Sequence, residues 1–122
     1  MGKHLDITLS IKTAIDHDGI IMKSIAEAMK EENKPYYQAA NYYFQNKKDL
    51  KHSLEWVEEA CKADNNSFWM EHLKAKIQLE LIDFKNALTT AESSRTKAEK
   101  AQNDDYVKNN TALIEEIKKK MK

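Results

Sequence analysis

The chain has 122 residues, with 20 Lys and Arg balanced by 20 Asp and Glu, and only two Gly, one Pro and one Cys. Gly and Pro at three of 122 positions fall far below the roughly 12% of average usage, which argues against an all-β chain and for short-looped amphipathic helices in one domain. Balanced charge removes the broad attraction that nucleic acid or anionic lipid needs, and no apolar run approaches the roughly 18 residues of a membrane span.

Leu5, Ile7, Leu9, Ile11, Thr13 and Ile15 alternate with Asp6, Thr8, Ser10, Lys12 and Ala14, the period-two pattern of a half-buried strand. Asp16-His17-Asp18-Gly19 then reads as a turn closing an N-terminal segment, 1–18, and a helical domain over 19–122 follows. Ile21, Met22, Ile25, Ala28 and Met29 share one helical face, which predicts a helix near 20–32 with Lys23, Glu27, Lys30 and Glu31 outside. Pro35 opens the next helix, near 35–46, with Tyr36, Ala39, Ala40, Tyr43 and Phe44 inward and Tyr42 pointing away. Asp49 is the expected N-cap of a helix that buries Leu50, Leu54, Val57, Ala60 and Cys61 and stops near Asp64-Asn65-Asn66-Ser67. A helix near 67–81 carries Trp69, Met70, Leu73, Ile77 and Leu81. After an Ile82-Asp83 turn, a longer one carries Phe84, Ala87, Leu88, Ala91, Ser94 and Ala98 on one face. Asn103-Asp104 caps the last helix, with Tyr106, Val107, Leu113, Ile114, Ile117 and Met121 along one side and Lys118-Lys119-Lys120 at the negative end of its dipole.

At an offset of 34, Asp49 pairs with Asp83, Leu50 with Phe84, Ser53 with Ala87, Leu54 with Leu88, Val57 with Ala91, and Ala60 with Ser94. These residues resemble the second-helix signature of tetratricopeptide repeats. The first-helix signature is met by Tyr37, Ala40 and Phe44, whereas Glu71, Lys74 and Gln78 fall at its places in the second repeat, as though that repeat had diverged or shifted. The resemblance implies a stack of antiparallel helix pairs, with one N-terminal β-strand ahead of it. The stretches Tyr36–Phe44, Leu54–Val57, Phe68–Ile77 and Asn103–Val107 also resemble the C-terminal part of the bacterial family catalogued as domain of unknown function 2911. That likeness implies a β-rich domain upstream, with Leu5–Ile15 its last strand, and full-length relatives exported to the bacterial envelope.

Catalytic chemistry finds little footing. His4, His17, His52 and His72 lack the spacing of a zinc site, Cys61 falls on an apolar arc, and Gly2 and Gly19 are isolated, so no phosphate loop, metal or cofactor is expected. Glu55, Glu58, Glu59, Glu115 and Glu116 alternate with lysines on outward faces. In tetratricopeptide repeats the first helix of each pair lines a concave surface, and the resemblance puts Gln38, Tyr42, Trp69, His72, Lys76, Tyr106 and Asn110 there. Gln38 and Tyr42 replace the Lys and Asn of the carboxylate clamp, so that activity is not expected. The expected role is a non-catalytic interaction or scaffold module holding a protein or peptide. The alternative is an accessory helical domain of an envelope enzyme whose active site lies upstream. A lone strand leaves both edges unpaired, so Leu5–Ile15 belongs to a larger sheet or pairs with a second copy in a homodimer.

Overall fold

A computed structural model describes residues 18–31 and 34–122. The expected strand at Leu5–Ile15, and the dimerisation built on it, lie outside the described residues. The described residues are all-α, with no strand among them. Backbone packing divides the chain into a unit ending at Pro35 and a unit spanning Tyr36–Lys122.

In the first unit, α1 covers 18–28. Asp18 and Gly19, expected in a turn, are helical, because Asp and Gly suit a helix's first positions as well as a turn. Ile21, Met22, Ile25, Ala28 and Met29 are half-buried, while Lys23, Glu27, Lys30 and Glu31 are exposed, so the expected stripe is present. The helix ends sooner than the expected residue 32. Lys30 and Glu31 donate to Glu27 and Ala28, three residues back, and this tightening stops the spiral.

The second unit holds α2 (Tyr36–Gln45), α3 (Leu50–Ala63), α4 (Phe68–Glu80), α5 (Phe84–Lys100) and α6 (Asp104–Met121). Each start has its expected cap region. Asp49 accepts from the Lys51 and His52 amides at 2.9 and 3.2 Å, Asp83 from Asn86 at 3.4 Å, and Asn103 from Tyr106 at 3.0 Å. Ser67 precedes α4, but its hydroxyl turns back to donate to the Asp64 carbonyl at 2.6 Å.

Three ends share one geometry. The amides of Lys48, Asp83 and Asn103 donate to the carbonyls of Tyr43, Gln78 and Ala98 at 2.8, 2.9 and 2.9 Å. Lys47, Ile82 and Gln102 lie just before those amides, at φ 53°, 64° and 59°. This is the Schellman stop, which normally takes glycine at the left-handed position. The scarcity of glycine therefore does not mean a scarcity of such turns, because side chains occupy them at a cost.

Within this unit, helices adjacent in sequence pack on one another, and α4 also touches α6 and α2. Successive helices reverse direction: Ser53 of α3 donates to the Ala40 carbonyl, and Ser94, late in α5, donates to that of Phe68, which opens α4. Thus α2, α4 and α6 share one direction and α3 and α5 the other. Close approach needs short side chains, and Ala40, Ala75, Ala87, Ala91 and Ala98 are all fully buried. One core cluster joins Ala75, Leu79, Ala87, Ala91, Leu113, Ile114 and Ile117, and another joins Ala40, Val57, Leu73 and Ile77.

Some expected core positions differ. Tyr37, not Tyr36, packs against the second cluster together with Phe44, because α2 turns its alanines Ala39 and Ala40 into the contact and its rings to the edges. Tyr43 stands edge-on to Trp56, with ring centres 4.7 Å apart. Met121, the last residue of α6, is 47% exposed.

Candidate ligand groove

Because α2, α4 and α6 run side by side, their outer faces form one surface. A shallow groove of about 480 Å³ lies along it, lined by Phe44 of α2, His72, Lys76, Leu79 and Glu80 of α4, and Asn109, Ala112, Leu113 and Glu116 of α6. A second recess of about 400 Å³ adjoins it through Phe44 and Glu80, with Gln45, Lys47, Lys48 and Leu50 on its far side.

The groove's upper end is fixed by hydrogen bonds linking three helices. Ser94 donates to the Phe68 carbonyl at 2.6 Å, and a carbonyl can only accept. The Ser94 hydroxyl then accepts from Asn110 Nδ2 at 2.8 Å, which leaves Asn110 Oδ1 facing His72 Nδ1 at 2.7 Å. That oxygen also only accepts, so Nδ1 carries the ring proton and Nε2 of the neutral ring keeps its lone pair. Burial pushes the His72 pKa below its ordinary value of 6.5. The Asn110 bond opposes the shift and Lys76 adds to it, so the ring is neutral at pH 7.

Aromatic edges surround this chain. Tyr106 meets His72 and Phe68 edge-on at 5.5 and 5.2 Å, and Phe68 meets Trp69 at 5.0 Å. Burial, and then the Tyr106 phenol, push the Tyr37 pKa up. Lower down, the Lys76 ammonium sits 5.3 Å from the centre of the Phe44 ring.

The seven residues expected on the concave surface do not form one set. His72 and Lys76 line the groove, and Tyr106 borders it through its contact with His72. Asn110 is fully buried and joins helices instead of facing a ligand. Gln38 is exposed on α2, and Tyr42 and Trp69 are half-buried away from the lining. Sequence reasoning missed Phe44, Leu79, Glu80, Asn109, Ala112, Leu113 and Glu116 as lining. Glu116, expected on a solvated face, is exposed on the groove's rim.

Other reactive groups are engaged elsewhere. Glu71 accepts from Lys97 Nζ at 2.8 Å and from the Ser93 hydroxyl at 2.9 Å, which ties α4 to α5. Cys61 is half-buried beside the second cluster, and burial pushes its thiol pKa up, away from thiolate reactivity. Among the described residues, no three His, Cys, Asp or Glu side chains gather as metal ligands, and no helix is long and apolar enough to cross a membrane.

No protein-family profile matches the chain, and no curated protein or solved structure matches it.

Proposed function

We propose that the chain is a non-catalytic interaction module of the tetratricopeptide-like kind, which holds a peptide segment of a partner protein in the groove across α2, α4 and α6. The observation that carries this reading is the parallel alignment of alternate helices, which leaves one continuous open face with an apolar floor and charged rims. A periodicity supports it. At a spacing of 35, Tyr37, His72 and Val107 are half-buried, Ala40, Ala75 and Asn110 are fully buried, and Phe44, Leu79 and Ile114 lie toward the core. At a spacing of 34, Ser53, Val57 and Ala60 match Ala87, Ala91 and Ser94, all buried.

The test is selection of displayed random dodecapeptides on the whole chain, followed by measurement of each binder against Ala112→Arg. Ala112 is exposed on α6, so the long side chain fills the groove without disturbing the core. Binding that is lost in this variant supports the reading. Binders indifferent to it, with the fold unchanged by circular dichroism, overturn it.

A further inference from the structure

The hydrogen-bonded chain at the upper end of the groove has an internal control. At the spacings that relate the two helix pairs, His72, Ser94 and Asn110, where α4, α5 and α6 meet, correspond to Tyr37, Ala60 and Ala75, where α2, α3 and α4 meet. Ala60 and Ala75 are buried, as Ser94 and Asn110 are. The fold therefore closes this junction once with methyl groups alone, and packing does not require the polar set at the second, where two buried side chains give up water. What the polar set adds is a fixed imidazole. Its links, at 2.6, 2.8 and 2.7 Å, leave one assignment of donors, with the proton on His72 Nδ1 and the lone pair on Nε2. Nε2 itself has no partner among the described residues. Gln78 Oε1 is the one side-chain polar atom among them that is both buried and unbonded, so Nε2 is open to the space beside the ring, which is the groove.

Two neighbours narrow the donor that this nitrogen can take. Lys76 lies one turn along α4, and its charge reaches the ring, whose pKa it helps to lower, so a cationic donor is repelled. Tyr106 stands edge-on at 5.5 Å beside the half-buried ring, so a donor has to project from a peptide main chain to reach Nε2. We infer that His72 sets the specificity of the groove, its Nε2 accepting a hydrogen bond from an uncharged side chain of the bound peptide, the hydroxyl of Ser, Thr or Tyr or the indole N–H of Trp. Asn110 and Ser94 are positioning residues, which hold the ring in the accepting tautomer. The inference rests on the peptide-groove reading above.

The experiment starts from the dodecapeptides selected on the whole chain. Those that Ala112→Arg abolishes are expected to share a Ser, Thr, Tyr or Trp, and to lose affinity about tenfold when that residue alone becomes its donor-free counterpart, Ala for Ser, Val for Thr, Phe for Tyr and naphthylalanine for Trp. In the chain carrying isotope-labelled histidine, nitrogen resonances should show the free His72 ring protonated on Nδ1, and the parent peptide should shift Nε2 in the sense of a hydrogen-bonded acceptor, while the donor-free peptide should not. His72→Phe should bind both peptides equally. The peptide substitutions leave the protein untouched, so they decide the matter even where His72→Phe is unstable. Donor-free peptides that bind as tightly as their parents, or an Nε2 resonance that the parent leaves in place, overturn this inference and leave the groove reading standing. Binders that ignore Ala112→Arg overturn the groove reading itself.

Discussion

Ile82 holds φ at 64° with its side chain 72% exposed. A β-branched residue in the left-handed region is strained, and here it buries nothing in return. Ile82→Gly is therefore expected to raise stability by about 1 kcal/mol, measured as a higher urea midpoint at unchanged slope. Asn110 presents the opposite case, since both ends of its buried amide are engaged. Asn110→Ala strands the His72 Nδ1 proton and removes the donor to Ser94, with an expected loss of about 2 kcal/mol. A double-mutant cycle with Ser94→Ala should show strong coupling, and additive losses would count against a shared network. His72 sets a pH dependence. Its pKa is lowered in the folded chain, so the unfolded chain binds the proton more readily, and stability is whole above pH 6.5 and declines as pH falls below it. His72→Gln should flatten that decline in thermal melts. The Asp49 carboxyl, held below its usual range first by the His52 amide, adds a second loss at lower pH, as acid protonates the cap.

At the level of whole helices, much was legible because capping chemistry is local. Asp49, Asp83 and Asn103 mark the starts of α3, α5 and α6 in the sequence and in the structure alike. The 34-residue offset holds for α3 against α5 but misaligns α2 with α4, and one residue accounts for it. Asp83 both ends the Schellman turn of α4 and caps α5, whereas after α2 those two jobs fall to Lys48 and Asp49. That extra residue moves α2 to a spacing of 35 from α4, at which Ala40 meets Ala75 and Phe44 meets Leu79. At that spacing the residues in register with Tyr37, Ala40 and Phe44 are His72, Ala75 and Leu79, not Glu71, Lys74 and Gln78. The groove was less legible, because its lining depends on which faces of α4 and α6 meet, and periodicity within one helix does not encode that. Asn110 shows the difficulty, since an asparagine on a charged helix gives no local sign that it will be fully buried. The small side chains between helices are testable in their own right. Ala91→Leu, at a fully buried contact, is expected to cost about 2 kcal/mol by overpacking, read from chemical denaturation, while Ala112→Leu on the exposed face should cost little.

For the molecule as a whole, the unit from Tyr36 to Lys122 is sequentially stacked, each helix bonded to its neighbours and alternate helices linked through His72, Asn110 and Ser94. Its contacts are mostly local in sequence, which favours fast folding. The dimer expected from the alternating segment at 5–15 is testable by mass. If that segment pairs two copies, sedimentation will give twice the chain mass, and a chain lacking 1–16 will give the single mass. A single mass for both would remove the dimer. The three glycine-free turns carry one last consequence. Their closing amides, on Lys48, Asp83 and Asn103, sit in connecting segments yet are tied to carbonyls a full turn inside the preceding helix. In heavy water these three protons should survive about as long as helical ones, giving clocks that report when the hairpin corners loosen ahead of the helices they join.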